Sequence, residues 1–159
     1  MLEEALATAH QLRRALEQEV ERAQREREVL RTLDSDRLFA GAAARAAFNA
    51  DVAKLESALA GALARAAGAM GLSEVTLHRL SQQAPEETTR LSRALADIKS
   101  LAGALAELDR LNLMLAGRAL ACVQGYLTAL NPSPAAYDRR GGRAQAPSLT
   151  ALSVHSTKV

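Results

Sequence analysis

Tryptophan is missing from this 159-residue chain, and phenylalanine and tyrosine occur only twice each. Isoleucine occurs once and valine seven times. Strands draw mainly on β-branched and aromatic residues, so this composition argues against all-β and α/β folds. The single cysteine, Cys122, allows neither an intrachain disulfide nor a cysteine-based zinc site. An excess of one charge is lacking too. The formal net charge is +2, without the broad basic field of a nucleic-acid-binding protein, and no nucleic-acid partner is expected. The opening Met-Leu-Glu-Glu has neither the basic nor the apolar region of a secretory signal. The longest uncharged run, 119–137, contains Gln124, Asn131 and two prolines, which makes it a poor membrane span. A soluble cytoplasmic protein without stable membrane insertion is expected.

What the chain does contain is alanine and leucine, 35 and 26 residues respectively. Both are strong helix formers, and the expected fold class is all-α: an elongated antiparallel bundle of three long helices plus one short helix, with a disordered C-terminal tail. A first helix over about 2–33 places Leu2, Leu6, Ala9, Leu16, Val20, Ala23 and Leu30 on one seam by alternating three- and four-residue steps. Arg13 and Arg27 interrupt that seam, where their stems can cover apolar surface while the heads reach water. The dense charges between Glu17 and Arg31 read as a solvated face. Asp34-Ser35-Asp36 then offers N-cap oxygens for a second helix to about Met70. Its larger side chains are Phe39, Phe48, Val52, Leu55, Leu59 and Leu63, with Ala43 on the same seam. Small residues such as Ala42, Ala46 and Gly61 permit close helix approach. A short helix over 73–83 has Ser73 as its expected cap. Pro85, Glu86 and Glu87 suit the start of a last helix over 86–130. Asn131-Pro132-Ser133-Pro134 ends it. Residues 131–159 carry Arg139, Arg140, Arg143 and Lys158 against Asp138 and are expected to form a flexible basic tail beyond a helical bundle over 1–130.

The last helix has more apolar surface than one seam needs. Ile98, Leu101, Leu105, Leu108, Asn112, Leu115, Ala119, Cys122 and Tyr126 suffice to pack it. Leu111, Leu113, Met114, Leu120, Val123, Leu127 and Leu130 lie beyond that seam, and Arg118 is the only charged residue between Leu111 and Leu130. Such a surface must be covered. Either the chain's own helices or a second copy covers it, or it is a groove for an amphipathic segment of another protein. Asn112 either fixes helix register or binds a ligand.

Catalysis finds little to work with. His10, His78 and His155 stand apart, none with Cys, Asp or Glu at metal-ligand spacing. Cys122, among apolar neighbours, reads as a small core residue. Neither enzymatic activity, a metal nor a cofactor is expected.

The stretch from Asn112 to Pro132, NLMLAGRALACVQGYLTALNP, is followed by Tyr137 and a glycine-containing basic tail. Together with the charged first helix, the break LDSDRL, the second long helix and a last helix beginning after Pro85, it resembles the FlgN family of flagellar export chaperones. The resemblance implies a non-catalytic cytoplasmic chaperone. Such a protein binds the C-terminal segments of the hook–filament junction proteins FlgK and FlgL and delivers them to the type III export apparatus. On that reading Leu111, Met114, Leu115, Leu120, Val123 and Leu127 are the expected client-binding residues. Tyr137 corresponds to the family's tail tyrosine, expected to dock at the export gate protein FlhA. The alternative is a structural coiled-coil protein that forms homodimers through the same apolar face.

Overall fold

A computed structural model describes residues 2–130, which form four helices and no strand. They are α1 (Glu3–Thr32), α2 (Ser35–Ala69), α3 (Leu77–Gln83) and α4 (Pro85–Leu130). The expected tail over 131–159, with Tyr137 and His155, lies outside the described residues. The chain divides into two compact units, residues 1–119 and 120–159.

Local chemistry sets the helix ends. Glu3 and Glu4 occupy the first turn of α1 and Arg31 its last, each favourable to the helix dipole. Leu33 takes the left-handed conformation, φ 52°, that turns the chain out of α1. The Asp34 side chain accepts the Arg37 amide at 3.1 Å and caps α2. At the other end Gly71 adopts φ 69°, and the Leu72 amide reaches back to the Ala67 carbonyl at 2.9 Å. The short helix begins later than Ser73 suggests. Thr76 is its cap, accepting the Arg79 amide at 3.3 Å, while Ser73 accepts from the Arg79 guanidinium. Residues 73–76 thus remain outside α3 as the bent segment leading into it. Pro85 opens α4 at the position where its missing N–H costs nothing.

Cross-helix contacts fix direction. Arg65 meets Glu4 at 2.6 Å and Arg45 meets Glu19 at 2.8 Å, so α2 runs antiparallel to α1. The Leu2 amide donates to Glu87, Arg13 meets Asp97 and Asn112 donates to the Ala23 carbonyl, at sequence separations of 85, 84 and 89 residues. Therefore α4 runs parallel to α1 in one nearly constant register. By that offset the end of α1 at Thr32 comes level with about Gly117. The core holds Leu2, Leu6, Leu12 and Leu16, with Leu59 and Ala62 from α2, Leu80 from α3, and Leu91 and Leu105 from α4.

The second helix departs from expectation in its first half. Phe39 is 77% exposed, and Ala42, Ala43 and Ala46 are exposed as well. The covered positions there are Leu38, Gly41, Ala44, Arg45 and Phe48, continuing through Val52, Leu55, Leu59, Ala62 and Ala66. Phe39 is one residue beside this seam, about 100° around the helix. Close approach to α1 is made by Ala62 and Ala66 rather than by Ala42 and Ala46.

Candidate functional site

The expected site residues all lie on α4 or beyond it, so what anchors α4 decides what it can present. Two polar devices hold its middle. Asn112 is buried on the seam, and its Nδ2 donates to the Ala23 carbonyl at 2.8 Å and to Glu26 Oε2 at 2.9 Å. The Arg27 Nε–H donates to Asn112 Oδ1 at 3.4 Å. A buried amide satisfied from both ends specifies a single register, so of the two roles open to Asn112 the packing uses the first. The other device is an ionic chain across three helices. Glu19 of α1 is only 3% exposed and pairs with Arg22 and with Arg45 of α2; Arg45 also reaches Asp109 of α4 at 2.5 Å. Glu19 belongs to the run expected to be a solvated face, and it departs from the rest because Arg45 can follow it inward. The other charged pairs of that run, such as Glu21–Arg25 and Glu28–Arg31, are exposed as expected.

Leu111, Met114 and Leu115 come together. With Arg27, Arg31 and Arg118 they line a cleft of about 240 Å³ between α1 and α4. Leu111 and Leu115 are half-buried and Met114 is exposed. Beside the cleft, Arg110 hydrogen-bonds Glu107 at 2.7 Å; this holds the Glu107 carboxyl below its ordinary pKa and raises that of Arg110. The Arg110 charge is thereby committed to Glu107. Arg27, Arg31 and Arg118 were not visible as a set in the sequence. Two of them stand on α1 and one on α4, and only the parallel register gathers them.

Leu120, Val123 and Leu127 belong to the second unit. They are exposed, at 58%, 39% and 61%, and Leu130 continues their three–four–three spacing. Every residue from Leu120 to Leu130 is exposed. Cys122, expected in the core, is exposed with them, and so is Tyr126. Both continue the packing periodicity of α4, yet both are exposed, so periodicity there marks a face without a cover among the described residues. The six expected client-binding residues divide between the two units, Leu111, Met114 and Leu115 in the first and Leu120, Val123 and Leu127 in the second. They form two patches, the first half-enclosed and basic at its rim, the second open and purely apolar.

Among the described residues no group of three or more His, Cys, Asp or Glu side chains could hold a metal ion, and His10 and His78 are exposed singly. By length and composition alone, α4 is long and apolar enough to cross a membrane, with an 18-residue window of mean hydropathy 1.3, none of it buried. Asn131 and the two prolines that make 119–137 a poor span lie beyond its end.

Comparison with known proteins adds one match. The family model described as FlgN protein matches residues 1–145. No curated protein and no solved structure matches the chain.

Proposed function

Since the chain belongs to the FlgN family of flagellar export chaperones, we propose that it holds the C-terminal segments of FlgK and FlgL on α4 and delivers them to the export gate protein FlhA in the cytoplasm. The observation that carries the reading is the unpartnered apolar stripe Leu120, Val123, Leu127 and Leu130 at the end of α4. A subunit awaiting assembly carries amphipathic segments that aggregate when exposed, and a helical stripe of this spacing can cover one. Leu111, Met114 and Leu115 offer a second contact on the same helix. Tyr137, a rigid amphipathic anchor, is the proposed docking residue for FlhA. No chemistry is required of the chaperone, and no cofactor takes part.

Co-expression with a FlgK or FlgL C-terminal segment tests the assignment. The Leu120→Asp/Leu127→Asp protein is expected to keep its helicity and lose client capture, because both side chains are exposed and unneeded for the fold. Capture that survives in the folded double variant removes the stripe from the client site. Normal client export by a Tyr137→Ala protein would likewise remove Tyr137 from the docking step. The same three–four–three spacing also fits a self-associating coiled coil. A mass that rises to a stable dimer with concentration, without response to client, favours that second reading.

A further inference from the structure

The cleft between α1 and α4 has an unusual lining, with three guanidinium groups, three apolar side chains and no carboxylate. Arg118 has no ion-pair partner among the described residues. Arg27 hydrogen-bonds the neutral amide oxygen of Asn112, and its charge reaches Glu107 only through space, without a direct bond. Arg31 pairs with Glu28 at 3.2 Å, but both side chains are about 70% exposed, where such a pair holds weakly. Three like charges around one apolar cleft repel one another, and a carboxylate entering among them relieves that repulsion.

Resting on the chaperone reading above, we propose that this cleft selects client segments by charge: its occupant is an amphipathic peptide helix whose apolar side chain enters between Leu111, Met114 and Leu115 while a neighbouring Asp or Glu meets Arg27, Arg31 and Arg118. The chain's own C-terminal residues are a poor occupant, because Arg139, Arg140, Arg143 and Lys158 outweigh Asp138 there. The same holds for that segment of a second copy. An extended anionic surface fits poorly as well. Glu28 and Glu107 flank the rim, so the basic field is confined to the cleft and suits a single side-chain carboxylate.

Two model peptides test this on the full chain. Both form amphipathic leucine helices with acetylated and amidated ends, which removes terminal carboxylates. They differ only in carrying Glu or Gln beside the leucines. At low ionic strength the Glu peptide is expected to bind about tenfold tighter, since Arg118 and the weakly paired Arg31 each contribute a modest screened attraction. The ratio is expected to fall with added salt and to approach one in Arg31→Gln/Arg118→Gln, whose side chains are exposed. Equal binding of the two peptides, no binding of the Glu peptide, or a ratio unchanged in the double variant overturns the proposal. So does dissociation of a dimer by the arginine substitutions, or arginine-dependent capture of phosphatidylglycerol vesicles without peptide preference. If that variant fails to fold, the salt dependence of the wild-type ratio decides alone: a ratio insensitive to salt overturns selection by charge. The chaperone reading fails separately, when Leu120→Asp/Leu127→Asp captures client normally. Loss of capture in that variant alongside a peptide ratio of one leaves the chaperone reading standing and removes only the charge selection.

Discussion

Replacing Arg45 by methionine removes a guanidinium that joins three helices. Arg45 serves the buried carboxylate of Glu19 at 2.8 Å and the more exposed Asp109 at 2.5 Å, and its guanidinium lies 6.0 Å from the centre of the Phe48 ring. Breaking a buried ion pair from one side costs about 3–5 kcal/mol when it strands the partner. Glu19 keeps Arg22 in the variant, so about half of that range applies. Loss of the Asp109 pair adds at most ~0.5 kcal/mol at its exposure, and the ring contact contributes about as much. Methionine retains the apolar stem. The expected loss is therefore about 2–3.5 kcal/mol, read as a urea midpoint lowered by about 1 M or more at a slope of ~2 kcal/mol per molar. The decisive comparison adds Glu19→Leu. With neither charge left to bury, Glu19→Leu/Arg45→Met is expected to regain most of the loss. A single variant within about 0.5 kcal/mol of wild type, or a double variant less stable than the single, would refute the argument that Arg45 acts by compensating Glu19.

Asn112→Ala removes the bonds to the Ala23 carbonyl and to Glu26. It is expected to cost about 1–3 kcal/mol and to raise amide hydrogen exchange around residues 105–119; unchanged exchange there argues against a register role. Glu87 carries a pH signature. Its carboxyl is held below the ordinary value of 4.5, first by the Leu2 amide, which donates to it at 2.6 Å. A depressed folded-state pKa gives stabilisation that is fully present above the unfolded value and lost as pH falls through the folded one. The stability difference between wild type and Glu87→Gln should thus be constant near neutrality and shrink below pH 4.5; a difference that grows on acidification contradicts the contact.

Much of the helical frame was legible because its ends are chemically marked. Asp34, Pro85 and Gly71 each act locally, and α1, α2 and α4 begin and end within one or two residues of the sequence reading. The late start of α3 shows the limit of such signals, since Ser73 and Thr76 are both competent caps and only the packing of Leu80 chooses between them. Periodicity identifies a face but not its cover. Cys122 and Tyr126 fall in step with Leu105 and Asn112, yet both are exposed. Phe39 misses the seam of α2 by one residue for a related reason, as Leu38 is also apolar and two registers read alike. The basic cleft was illegible for a different cause. Its arginines are contributed by helices about 85 residues apart, and neither segment alone distinguishes them from the other charges of a solvated helix.

The parallel pairing of α1 with α4 has a consequence during synthesis. α1 and α2 can close as a hairpin once residue 69 has emerged, but Leu91 and Leu105, which share the core with Leu6, Leu12 and Leu16, belong to α4 and are made after it. At about 5–20 residues per second the nascent hairpin waits roughly 3–12 s for Leu130. Through that interval the young chain is itself an amphipathic polypeptide with leucines unsheltered.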